Sequence, residues 1–503
     1  MNKYIFPILF LLSYSDQVAG QSKNIADEKF FLENFRQSAL IWRKVVQSHG
    51  GKDLLSKNLH FETKGVIQYM EHDDVPEKTI SYNVDDSYSF FDDRQLIYIN
   101  GKTVYRGKTY LSSSLLDRDS IFVFERNRIT SKNDKEKNIS LASALRMSPT
   151  KLVLSIFEDP ISLRLLKEND KYYIFTYILN NENICLFVNK RTFLLDKFES
   201  MRYDSVYGEI VRDITYENYT LTQGIMLPSS RSDYEDGKME KKILFDNYQL
   251  NVKPDTSIIE IPLILKKKIA FEPAKLNPIA FEKLTDNIHL VKFLTADNKS
   301  LVVDMGESIA ILESFADVNL NKQMLDSVSK LYPNKPIKIL FVTHHHPDHA
   351  GGIKAFADKN ITVVTTNGNP IYFQKLLNAS HFSKGIYTER NSVKYDLVDN
   401  ESEKTLGNDN YKVIAYEIGK NTDHTQEHLV FYFPKDKILW TGDLLYFPNN
   451  GVISPSGKRG KAVFDLIKSK NIDVSKIYTA WPLNGQKPFI SLEDLTKSVN
   501  LPK

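Results

Sequence analysis

His344-His345-His346-Pro347-Asp348-His349 stands directly after the apolar run Ile337-Lys338-Ile339-Leu340-Phe341-Val342 and Thr343. A metal ion needs several imidazole and carboxylate groups converging from rigid backbone, and a strand end that opens onto a tight loop supplies them. His344 and His346 alternate and can reach one metal, while Asp348 and His349 at the turn face a second position. Gly351 and Gly352 let the chain enter the next helix without steric conflict. Only 11 of the 503 residues are histidine, so three in a row at one strand end exceed what composition produces. The bland alternative is a solvated polar loop.

Two later segments extend the pattern. Gly419-Lys420-Asn421-Thr422-Asp423-His424-Thr425 precedes the apolar run Leu429-Val430-Phe431-Tyr432-Phe433-Pro434, and Lys437-Ile438-Leu439-Trp440 leads into Thr441-Gly442-Asp443. This succession resembles the metallo-β-lactamase superfamily, over residues from about 284 to 495. The resemblance implies an αββα sandwich with the histidine cluster on one rim. It also implies one or two zinc ions. His344, His346 and His424 would hold the first, Asp348 and His349 the second, with Asp443 bridging. Ordinary alternatives are a loop histidine at 424 and a helix cap at Asp443; His428 is expected to pack rather than bind. Relatives close the second site with a Gly-His-Gly segment. Here Ala480-Trp481-Pro482-Leu483-Asn484-Gly485 stands there, and the Asn484 amide is a poorer zinc ligand than imidazole.

A zinc ion lowers the pKa of bound water to about 7, and Asp348, the candidate catalytic residue, would orient that water or accept its proton. Asp443 disfavours the branch of true β-lactamases that uses Cys at this position; Asp-bridged relatives cleave thioesters, lactones, phosphodiesters and sulfate esters. Only 75 positions separate His349 from His424, which leaves no room for the inserted domain of the nuclease branch. His346 stands where the di-iron redox branch has Glu, and too few residues follow Asn484 for the helical substrate domain of glyoxalase II. The expected function is a metal-dependent hydrolase of a small or amphiphilic ester, thioester, lactone or phosphodiester. A non-catalytic hydrophobic-ligand binding protein with a degenerate metal site is the alternative, favoured by Asn484 and opposed by the other retained ligands.

The elements that position these groups follow from pattern. Residues 27–47 carry Phe31, Phe35, Leu40, Ile41 and Val45 at helical spacing, ended by Gly50-Gly51. From His60 to Pro262 period-two runs alternate with turn residues such as Asn181-Glu182-Asn183 and Glu235-Asp236-Gly237, which predicts an antiparallel curved sheet or open barrel. A helix is expected over residues 141–158, packed on one sheet face. The succession of hairpins is similar to the half-barrel domains of outer-membrane lipoprotein carriers. From Leu284 strands alternate with helices, notably near 322–331, and indicate layered α/β packing. The whole chain therefore reads as an α+β protein, a β-rich half-barrel-like unit followed by the αββα sandwich.

Lys3, the apolar run 5–12 and Val18-Ala19-Gly20 read as a secretory signal at residues 1–20. The β-rich unit is expected over 21–262, a linker over 263–280 with Lys266-Lys267-Lys268, and the metal-binding unit over 281–503. A periplasmic or secreted protein without a further transmembrane segment is expected. Hydrophobic residues at 42% and charged residues at 26% exclude a disordered bias, and a net charge of +3 gives no reason to expect a nucleic-acid partner. The single cysteine, Cys185, cannot form an internal disulfide and is expected as a buried strand thiol.

Overall fold

The computed structural model describes residues 26–70, 73–92, 96–105, 107–117, 120–125, 128–132, 134–254, 278–386, 392–408 and 410–502. The expected signal, the run Ile259-Glu260-Ile261-Pro262 and nearly all of the expected linker lie outside them.

Thirteen strands between residues 59 and 250 form one antiparallel sheet. The first strand, Leu59–Met70, pairs with the last, Lys238–Leu250, in the middle of the sheet. Six strands run outward on one side to Arg128–Lys132 and seven on the other to Arg164–Glu168. These two edge strands do not pair, so the sheet is open and forms no closed barrel. Alternation decides which face is covered: Ile184, Leu186 and Val188 are buried, with Cys185 and Phe187 between them on the half-exposed face. Cys185 is thus a partly buried thiol, more open than expected, because it takes the odd position of its strand.

The covered face receives the helix Ala26–His49 through Trp42, Val45 and Val46, and Trp42 Nε1 donates to the Val153 carbonyl at 3.1 Å. The expected helix over 141–158 is two helices, Asp134–Met147 and Pro149–Glu158. Ser148 breaks them: its backbone is extended, as the residue before a proline prefers, and its hydroxyl accepts from the Lys151 amide.

The second half builds four layers. A seven-stranded sheet runs from Ile279–Lys283 to Lys394–Val398, and a five-stranded sheet from Glu403–Gly407 to Lys476–Tyr478. Central strands such as Asn298–Asp304, Ile309–Leu312 and Leu429–Phe433 are buried on both faces, so odd and even residues enter different cores. Leu290, Leu301, Leu312 and Phe341 of the first sheet meet Val413, Phe431 and Trp440 of the second, with the Phe341 and Phe431 rings 4.9 Å apart. Val291, Val302, Ile311 and Leu340 point the other way, onto the helices Val318–Leu331 and Pro370–Asn378. The outer face of the five-stranded sheet is covered by Lys458–Ser469 and Leu492–Asn500. Helix, sheet, sheet, helix is the expected αββα order.

Two turns of the large sheet touch this sandwich. Val206 joins the core under the seven-stranded sheet, and the Tyr207 hydroxyl lies 3.1 Å from that of Tyr372. Next to them, Glu209 accepts from Ser380 Oγ and from the backbone amides of Phe382 and Ser383. Gly208 runs so close to the Ser380 carbonyl that a Cβ would overlap it. The second contact is the turn between Leu59–Met70 and Thr79–Phe91, which reaches the histidine cluster. No described helix is long and apolar enough to cross a membrane.

Candidate metal centre

The strand Ile337–Phe341 ends inside the sandwich, and its continuation delivers His344, His345 and His346 before Pro347 opens the four-residue helix Pro347–Ala350. Proline suits that first helical position because its missing N–H is not needed there. His344, His345, His346 and His349 are all buried. From the facing sheet, the loop before Leu429–Phe433 brings in His424, and the turn after Ile438–Trp440 brings in Asp443.

The groups converge. His344 Nε2 and His424 Nε2 are 3.0 Å apart, and Asp443 Oδ1 lies 2.8 Å from His424 Nε2, 3.8 Å from His344 Nε2 and 4.0 Å from His349 Nε2. Asp348 Oδ2 is 3.4 Å from His349 Nε2. The His346 ring sits 4.5 Å from His344 and 4.6 Å from His424, centre to centre. Among the described residues His344, His424, His428 and Asp443 form a set whose ligand atoms lie within 4.8 Å of one another. His346 is adjacent to that set, with its Nε2 2.9 Å from the Asp73 carbonyl oxygen.

His428 stacks on His344, 4.6 Å between centres, with Nε2 3.2 Å from the Thr441 carbonyl. Burial pushes its pKa down to about 3, with repulsion from His424 adding to the effect. Expected to pack rather than bind, it nevertheless contributes a ring nitrogen to the four-group set around His344. Asn484 is exposed, and its backbone N–H and side-chain amide both donate to Asp297 Oδ1 at 2.7 Å.

The donor set fits a cation. Ligand atoms around a tetrahedral zinc sit about 3.3 Å apart, close to the spacing of His344 and His424. Burial first, then the neighbouring imidazoles, holds His344 well below its ordinary pKa and keeps it a neutral donor. Burial opposes charge on His349, yet Asp348 and Glu313 raise its pKa well above the ordinary value. Burial likewise opposes the Asp443 carboxylate, but His424, the nearest imidazole, holds it well below the usual range. Both ring nitrogens of His349 are buried without an aligned hydrogen bond. The Asp348, Glu313 and Asp443 carboxylates thus create a pocket that favours positive charge.

Pattern reading missed the groups beneath the cluster. Glu313, 1% exposed, follows the strand Ile309–Leu312 with φ of +67°. Its carboxylate accepts from the Thr343 hydroxyl at 2.8 Å, the Thr343 amide at 3.2 Å and Trp440 Nε1 at 3.0 Å, and His349 Nδ1 lies 3.3 Å away. The only available signal was an acidic residue closing a fully apolar strand. Thr343 in turn contacts His344 Nδ1 at 3.0 Å, which orients that ring.

Gly442 explains the middle of Thr-Gly-Asp. It has φ of +62°, and a Cβ there would meet Thr343 Oγ1 at 2.9 Å and His428 Nε2 at 3.1 Å. Gly442→Ala should therefore cost about 1–3 kcal/mol, read as a lower urea midpoint; an unchanged midpoint refutes this packing argument.

Beside His424 a hollow of about 440 Å³ is lined by Asp73, Asp74, Lys78, Lys420 and Thr422, among others. Its walls are polar and charged, in keeping with a substrate that carries hydrogen-bonding groups.

Comparison with known proteins agrees with this geometry. The family model for the metallo-beta-lactamase superfamily matches residues 286–481. A metallo-beta-lactamase type 2 from Bacillus cereus is 27% identical over 148 residues, covering 29% of this chain and 51% of that protein. The alkyl/aryl-sulfatase BDS1 of Saccharomyces cerevisiae is 25% identical over 138 residues, covering 25% of this chain and 21% of that protein. This chain thus spans about half the length of the first relative and a fifth of the second. A solved metallo-beta-lactamase from Pontibacter korlensis aligns with 44% of this chain and 97% of its own, at 16% identity and a TM-score of 0.32. The stretch that carries His344, His346, Asp348, His349, His424 and Asp443 lies within the residues that match the metallo-beta-lactamase superfamily model.

Proposed function

We propose that this protein is a secreted or periplasmic metal-dependent hydrolase acting on an ester, thioester, lactone or phosphodiester, with zinc as its metal. The observation that carries the reading is the convergence of His344, His424 and Asp443, with nitrogens 3.0 Å apart and a carboxylate oxygen 2.8 Å from one of them. His344, His346 and His424 are the first-site ligands in this reading, Asp348 and His349 belong to the second, and Asp443 faces both. Zinc bound there supplies acidified water and a Lewis acid for the substrate oxygen. The chain's own part is to hold His344 neutral, to bring His424 beside it and to accept the water proton at the Asp348 carboxylate. The polar hollow beside His424 receives the substrate. The expected signal at residues 1–20 supports the location, and the halves proposed as separate units are residues 21–262 and 281–503.

The test is metal content of the purified protein, then turnover of a phosphodiester, a lactone, a thioester, an alkyl sulfate and a β-lactam. The last two enter because relatives carry sulfatase and β-lactamase names. Metal-loaded protein that hydrolyses one of these supports the reading; no bound metal overturns it.

The commitment of Asn484 to Asp297 favours a second reading, a hydrophobic-ligand binding protein with a degenerate metal site. Metal-loaded protein inert toward every ester class supports that alternative. Within the hydrolase reading the same contact predicts a weak second site. Wild-type protein should retain one metal under limiting supply, and Asn484→His should raise this to two. Two tightly held metals in the wild type, unchanged by the substitution, would refute the weak site.

A further inference from the structure

The turn at residues 73–78 belongs to the large antiparallel sheet, yet it lies across the histidine cluster. It makes three contacts there. The Asp73 carbonyl oxygen is 2.9 Å from His346 Nε2. The Asp74 carbonyl accepts the Gln426 amide at 2.7 Å, and Asp74 Oδ2 accepts from Gln426 Nε2 at 3.1 Å. Lys78 pairs with both carboxylates, at 3.2 Å to Asp73 and 2.7 Å to Asp74, which offsets their charge beside the site.

A carbonyl oxygen can only accept, so His346 must carry its proton on Nε2. The neutral ring then has its lone pair on Nδ1. A metal-binding imidazole is commonly oriented in this way, by donating its second nitrogen's proton to a carbonyl or carboxylate. Here the acceptor comes from 273 residues earlier in the chain. Gln426, two residues after His424, is the turn's other anchor. The turn thus ties together two ligand-bearing loops, one following a strand of the seven-stranded sheet and one preceding a strand of the five-stranded sheet.

We propose that the turn at 73–78 completes the metal centre, with Asp73 as a positioning residue whose backbone carbonyl sets the tautomer and orientation of His346, and Asp74 as the clamp that holds the turn to the His424 loop. The inference rests on the metal-dependent reading above. It makes the β-rich unit part of the metal site: full-strength binding requires both halves of the chain.

The experiment measures metal affinity of the full-length protein by chelator competition, together with the visible spectrum of the cobalt-substituted form. Replacing residues 73–78 by two glycines withdraws the carbonyl, and affinity should fall by about 10–100-fold with a changed cobalt spectrum. Asp74→Ala loosens the clamp and should shift both readouts in the same direction by less. Asp74→Asn keeps an acceptor for Gln426 and should restore wild-type values. A folded turn-shortened protein with wild-type affinity and spectrum overturns the proposal. If that variant does not fold, the Asp74 pair decides: Ala weakened and Asn normal supports it, and both normal overturns it. Wild-type protein that binds no metal fails the hydrolase reading itself, whereas wild-type binding indifferent to the turn fails this inference alone.

Discussion

Asp348→Asn should lower kcat by roughly 10²–10⁴-fold, the usual contribution of a positioned proton acceptor. The substitution keeps the shape of the side chain and removes its charge and its capacity to take a proton. Asp348 Oδ2 lies 3.4 Å from His349 Nε2, and its main-chain carbonyl accepts from Asn298 Nδ2 at 3.4 Å, so the backbone is held independently of the carboxylate. In the proposed reading His344, His346 and His424 hold the first metal without Asp348, and that metal should remain. Kinetics paired with metal analysis checks both halves of this expectation. Activity that falls in step with metal content and returns with excess metal would show Asp348 to be a ligand alone and would falsify its role as base. A loss below tenfold would do the same.

The largest expected effect on stability comes from Glu313→Ala. One buried carboxylate accepts from Thr343 twice and from Trp440, and faces His349. Truncation leaves two side-chain donors and a backbone amide without their acceptor in a core that water does not reach. It also removes one of the two carboxylates that favour charge on His349. Breaking such a buried charged network typically costs about 3–5 kcal/mol. The measurement is urea unfolding of metal-free protein, so that lost metal affinity does not enter the value. A change under about 1 kcal/mol would mean that these contacts are no stronger than an exposed pair. Metal binding should weaken as well, because Thr343 positions His344 and loses its own anchor.

Much of the candidate site was legible because its signals are local. The histidine run directly follows strand 337–341 and Thr441-Gly442-Asp443 directly follows strand 438–440, and a strand end dictates where the next side chains can point. The α+β character and the open antiparallel sheet were legible for the same reason, since period two over 59–250 fixes which residues share a face. The break at Ser148-Pro149 carried a local signal too, a proline after a capping residue, which a continuous apolar pattern concealed.

His344, His346, Asp348 and His349 were marked as a metal-binding group by type and spacing alone, and Asn484 was marked as the position where a histidine is absent. Tertiary structure decided how that group is held. Glu313 is one acidic residue among many until the fold closes Thr343, Trp440 and His349 around it. Asp73 carries no sign of its position over His346, because a contact across 273 residues leaves no periodicity in either segment. A backbone carbonyl is moreover common to every residue type. Spacing along the chain therefore specifies which groups can ligate, and packing between the two sheets and the turn of a third specifies which nitrogen each imidazole offers.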